Sequence, residues 1–158
     1  MNRFLTGFLM VLVLTGAAFG RGAEEDAEAI YREYADTIIR GYATRDIDLY
    51  MSVFSEDFVA MPPGAPVVIG TEAYRPMAQP FFDPAMNVEV TVEPEEVVMA
   101  GDWIIARARA VHAMTPADGG ETTTLNSKIL EVLHRQEDGS WKCQTVCWNA
   151  AQPPAAAV

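Results

Sequence analysis

The sequence predicts an α+β domain, with helices first and a meander of strands afterwards. Three observations predict it. Residues 24–42 carry apolar side chains at Ala27, Ile30, Tyr31, Tyr34, Ile38 and Tyr42, a helical stripe about a third of the circumference wide. Residues 103–114 and 125–135 are long runs rich in strand formers. Gln136-Glu137-Asp138-Gly139-Ser140 then joins Leu125–Arg135 to Trp141–Asn149, and Asp-Gly between such runs is a strong hairpin signal.

Met1-Asn2-Arg3 is a short positive segment, and Phe4 to Phe19 is an almost unbroken apolar run. Ala18-Phe19-Gly20 places small residues where a signal peptidase reads. A leader over 1–20 is therefore expected, cleaved after Gly20 or, as second choice, after Ala23. The run is shorter than the ~20 residues of a spanning helix, and acids follow at once, which argues against an anchor. No Cys follows the run and no Arg pair precedes it, which argues against a lipoprotein or twin-arginine leader. The mature chain is expected to be exported, periplasmic or secreted for a bacterial source. Residues 24–150 suit one domain with one core. The Pro/Ala-rich tail, 151–158, is expected to be disordered.

Without Arg3, ten basic side chains face twenty-two acidic ones, a net charge of −12. That balance repels nucleic acid and anionic lipid, whose binding needs clustered Lys and Arg. The two cysteines, Cys143 and Cys147, fall on one strand. At ~3.3 Å per residue they stand ~13 Å apart, beyond the ~7 Å that a disulfide tolerates. Alternation places both on the same face, as two small buried apolar residues. A metal or redox role lacks partners, since the chain has only two His and zinc wants three or four ligands.

Acids at Glu24, Glu25 and Asp26 suit the first turn of the first helix. Asp46 is placed to cap a short second helix through Phe54. Phe58–Met61 and Val67–Ile69 read as short strands around the rigid Pro62–Pro66 turn. Thr71 is expected to cap a third helix, which Pro76 and Pro80 shorten or kink so that it ends by Phe82. Met86–Val92 alternates as a strand with one wet face. Further strands follow from Val97 to Ala113 around a turn at Ala100-Gly101-Asp102.

Several stretches together resemble one family. They are the start around Thr44-Arg45-Asp46, then Phe54-Ser55-Glu56-Asp57-Phe58-Val59-Ala60-Met61-Pro62-Pro63-Gly64, and Gly70-Thr71-Glu72-Ala73-Tyr74-Arg75. The ending is the best match, with Ser127-Lys128-Ile129-Leu130-Glu131-Val132, Asp138-Gly139-Ser140-Trp141-Lys142 and Cys147-Trp148-Asn149. In order and spacing these resemble the SnoaL-like branch of the nuclear transport factor 2-like superfamily, including its secreted members of unknown function. The resemblance spans about Ala27 to Asn149. It implies a cone: a strongly bent antiparallel sheet wrapped around a long N-terminal helix, with two short further helices. It also implies a cavity open at one end and, commonly, a homodimer through the sheet. Members include isomerases, cyclases, dehydratases and oligomerisation domains, so the fold alone does not give the function. Relatives often carry an acid two residues before the Trp that Trp148 matches. This chain has Val146 there, which lowers the expectation of acid–base catalysis.

On Trp103–Met114 one face reads Ile104, Ala106, Ala108, Ala110, His112, and the other Trp103, Ile105, Arg107, Arg109, Val111. Three small side chains in succession leave room, so the alanine face is assigned to the cavity. His112 then becomes the best catalytic candidate, able to act as acid or base near neutral pH; the alternative is a structural His. Lys128 could reach an anionic or carbonyl group at the cavity mouth, or could lie exposed. Trp148 and Asn149 match the family's terminal pair and point to opposite faces, with Asn149 a ligand contact or a strand-end cap. Tyr34 and Phe54 complete the expected ligand-binding set as cavity walls. Among the acids, Glu131 shares a face with Ile129 and Leu133 and comes nearest to a buried carboxylate. No metal site and no cofactor are expected.

Three readings follow. The first is a binding domain for a small apolar molecule. The second is an isomerase, cyclase or dehydratase acting on a small apolar carbonyl compound, with His112 as proton shuttle. The third is a dimerisation or interaction module using the outer sheet face.

Overall fold

The structure, a computed structural model, describes residues 16–151, with side chains from residue 26 onward. Most of the expected leader, and the tail from 152, lie outside it.

Helix α1 (Gly16–Thr44) starts earlier than residue 24, so the acids at 24–26 lie within it rather than in its first turn. Its stripe of Ala27, Tyr31, Tyr34, Ala35, Ile38 and Tyr42 is buried as the spacing requires. Asp46 caps α2 (Ile47–Met51) by accepting from the Leu49 N–H. This helix stops at Met51, because Phe54 is already the first residue of β1 (Phe54–Met61). The two helices approach closely at Gly41, where any Cβ would meet the Tyr50 Cβ at 2.9 Å.

After β2 (Val68–Ile69) comes α3 (Thr71–Ala78), continued by a 3₁₀ turn, Gln79–Phe82. Its cap is Gly70 rather than Thr71. Gly70 has φ +86°, a backbone open to glycine and rarely to other residues, and this places Thr71 inside the helix. The prolines act as expected. Pro76 sits in α3, which lasts only eight residues, and Pro80 is in the 3₁₀ turn.

Four long strands follow: β3 (Met86–Ala100), β4 (Trp103–Pro116), β5 (Thr123–Arg135) and β6 (Trp141–Ala150). The sheet order is β2-β1-β6-β5-β4-β3, and with α1 it makes the cone-shaped α+β fold. The antiparallel expectation holds for every pair but one: β1 runs parallel to β6.

The expected strand at Met86–Val92 and the one starting at Val97 are a single strand. Its register shifts between Pro94 and Glu96. As an edge strand, β3 tolerates Pro94 there. Residue Glu95, the extra one in the bulge, pairs with Arg107 and Arg109 on the outer face.

A second shift corrects the cysteine reading. Val132 pairs with Thr145 but Leu133 with Cys143, which leaves Gln144 extra. An extra residue reverses the side-chain alternation. Cys143 is therefore buried beside Leu133, while Cys147 pairs with exposed Leu130 on the other face. Both thiols are free.

Candidate functional site

The alternating face of β4 was assigned correctly to the inside: Ala106, Ala108 and Ala110 are all buried. Only Ala110 lines a hollow, while Ala106 and Ala108 are packed into the core. Between α1, α3 and the sheet lies a cavity of about 150 Å³. Its walls are mainly rings: Tyr42, Tyr50, Phe54, Tyr74, Phe81 and Trp148. Aliphatic groups fill the gaps, among them Ile38, Val90, Ile129 and Val146.

The two ends of the cavity differ. At one end Leu125 is largely exposed and pairs with His112, so this is the mouth. The His112 imidazole lies edge-on to Tyr42, with ring centroids 5.5 Å apart, and near Phe81 at 6.1 Å. Burial among rings lowers its pKa, so it is neutral at pH 7. It makes no side-chain hydrogen bond among the described residues.

At the closed end stands Glu131, only 5 % exposed. The Tyr31 hydroxyl donates to its Oε2 at 2.5 Å, and the Tyr34 hydroxyl to its Oε1 at 2.7 Å. Desolvation raises the Glu131 pKa, and the two tyrosine hydrogen bonds pull it back only in part. Burial raises both tyrosine pKa values, and the neighbouring carboxylate adds to the rise. Buried Cys143 is held as a neutral thiol by desolvation first and Glu131 second. Midway, the Tyr50 and Tyr74 hydroxyls hydrogen-bond each other at 2.9 Å.

Of the expected residues, Tyr34, Phe54, His112 and Trp148 line the cavity. Lys128 and Asn149 do not. They pair with each other across β5 and β6, and Lys128 also pairs with Arg109. That row belongs to the outer face, and both side chains are exposed. The inner row of β5 is Leu125, Ser127, Ile129, Glu131 and Leu133, one residue out of phase with Lys128.

His112 and Glu131 do not form a pair. Glu131 faces Ala106 on β4, six residues from His112, or about 20 Å along the strand. Sequence reasoning missed Glu131 as the central group. Its position between Ile129 and Leu133 was the available signal. The residue opposite Glu131 is Val146, the position where the resemblance led to the expectation of an acid. The carboxylate therefore stands on the neighbouring strand. Among the described residues no cluster of His, Cys, Asp and Glu is placed to hold a metal.

The fold and site define a class: an α+β cone whose interior hollow ends in one buried acid. The sequence profile of the SnoaL-like domain matches residues 31–143. The chain belongs to that family. Among solved structures it is similar to a ketosteroid isomerase-like protein from Erwinia carotovora atroseptica, at 23 % identity and TM-score 0.66, covering 79 % of this chain and 96 % of that one. It is also similar to ActVI-ORFA from Streptomyces coelicolor, at 18 % identity and TM-score 0.67, covering 78 % and 96 %. A nuclear transport factor 2-like superfamily protein from Salmonella enterica serovar Typhimurium gives 12 % identity and TM-score 0.70, covering 83 % and 95 %. At these identities the likeness shows the fold. No curated protein matches the chain.

Proposed function

We propose that this protein binds a small, mostly apolar molecule inside the cone. One observation carries the reading: the cavity is ring-lined, open at His112 and closed at a carboxylate held by two tyrosines. Such a hollow removes apolar surface from water and offers one polar anchor for orientation. The test is mass spectrometry of natively purified protein, followed by thermal-shift screening of small apolar compounds. Retention of a small molecule, or a melting temperature that rises with ligand concentration, is the expected result. A cavity that takes up nothing across such a screen overturns the reading.

A second reading, an isomerase- or cyclase-type enzyme, is favoured by Glu131. A buried carboxylate with a raised pKa facing an apolar hollow is suited to proton transfer. On this reading Glu131 replaces His112 as the acid–base group. Similarity to a ketosteroid isomerase-like protein supports it. Replacing Glu131 by Gln should abolish turnover of an apolar carbonyl compound, and turnover that survives the change excludes this role.

Two further parts of the proposal concern the chain's setting. Export follows from the leader expected over 1–20, and N-terminal sequencing of mature protein beginning at Arg21 is the expected result. Pairing of two copies through the outer face follows from Ile105 and Leu130, which are 44 % and 48 % exposed there. Introducing Asp at Ile105 should then delay elution on a sizing column, and an unchanged volume argues against the pair.

A further inference from the structure

The ligand class can be narrowed from the charges the cavity contains and those it lacks. Among the described residues its lining has neither Lys nor Arg. His112 is neutral, as shown above. Among the described residues Glu131 is the one carboxylate in the lining, and it lies at the closed end. An anionic ligand would find no counter-charge there, and the ionised form of Glu131 would repel it from the floor. The chain as a whole, at a net charge of −11, adds to that repulsion.

A cation meets the opposite situation. Tyrosine, phenylalanine and tryptophan rings attract cations through their π faces. Both Glu131 oxygens accept from tyrosines, and a carboxylate keeps further lone pairs for another donor. The Tyr34 oxygen, having donated its proton, can itself accept.

From this geometry we infer that the preferred ligand is a small protonated amine on an apolar body, with its ammonium at Glu131 and its body among the rings towards His112. The inference rests on the cavity reading above and names its ligand class. An ammonium donates to the Glu131 carboxylate and to the Tyr34 oxygen, so that the buried charge is paired rather than stranded. Among the described residues the titratable groups that face Glu131 are Tyr31 and Tyr34 from α1, Tyr74 from α3 and Cys143 from β6, all with raised pKa values and none a cation, so the pair has no internal competitor. Binding a cation holds Glu131 ionised. Affinity for an amine should therefore fall as pH drops through the raised pKa of Glu131.

The experiment compares three probes of one shape on the full chain by calorimetry: benzylamine, benzyl alcohol and benzoate. The expected result is benzylamine about tenfold or more tighter than benzyl alcohol, with benzoate weakest. In Glu131→Gln the benzylamine advantage should vanish. Should that variant fail to fold, the pH series on the unaltered chain gives the same answer, with benzylamine weakening in acid and benzyl alcohol unchanged. Benzyl alcohol binding as tightly as benzylamine overturns the ligand class and leaves the cavity reading standing. Failure of all three probes to bind overturns both.

Discussion

Glu131 and Glu95 are both acids on long strands of one sheet, β5 and β3 with β4 between them, yet they live in different solvents. Glu95 sits in the β3 bulge on the outer face and pairs with Arg107 and Arg109. Water screens that pair, so its net contribution is small. Glu131 lies on the inner face, where among the described residues no cation is near and two tyrosine hydroxyls satisfy it instead. The difference teaches that partner type follows from solvent. Where water competes, charge pairing is cheap and weak. Where water is excluded, neutral donors hold the carboxylate, and its proton is kept to a higher pH.

The comparison can be broken at several points. The largest effect should come from alkali. All five tyrosines, Tyr31, Tyr34, Tyr42, Tyr50 and Tyr74, have raised pKa values, each through desolvation first. The folded state keeps these protons where the unfolded chain releases them, near pH 10. Stability is thus fully present below about pH 10 and falls as pH rises above it, by up to about 1.4 kcal/mol per unit per tyrosine. Tyrosinate absorbance should appear together with loss of helical circular dichroism. Tyrosines that ionise gradually in folded protein would show that the inner face is wet.

Next comes Glu131→Ala, which strands two buried hydroxyl donors. A loss of about 3–5 kcal/mol is expected from urea unfolding, and an unchanged midpoint would remove Glu131 from the centre of the argument. Within the inner face, Ala106→Leu and Ala110→Leu should separate. The first overfills packed core and should cost about 1–3 kcal/mol. The second fills part of the hollow and should cost less while blocking ligand uptake. Equal costs would mean that the space beside Ala110 is not available. Smallest is Glu95→Ala on the outer face, with less than about 1 kcal/mol expected. A larger loss, insensitive to added salt, would erase the contrast between the two faces.

Much of the fold was legible because alternation is a local property. The period of two on Trp103–Met114 separated the inner alanines from the outer arginines, and Asp138-Gly139 announced the hairpin. Errors arose where one extra residue changed the phase. The Gln144 bulge turned Cys143 inward and Cys147 outward, and nothing in the strand's composition marks that shift. Lys128 was misplaced for a related reason. It shares a row of β5 with Asn126 and Leu130, and which row looks inward depends on the register with β4.

By itself the sequence determined the element order, the buried stripe of α1, the hairpin and the free thiols, since each depends on residues near one another in the chain. Tertiary structure alone decided which acid matters. The donors to Glu131 lie 100 and 97 positions away, on α1. A carboxylate's behaviour is set by what surrounds it in space, and those neighbours become its solvent only once the sheet has closed around the helix.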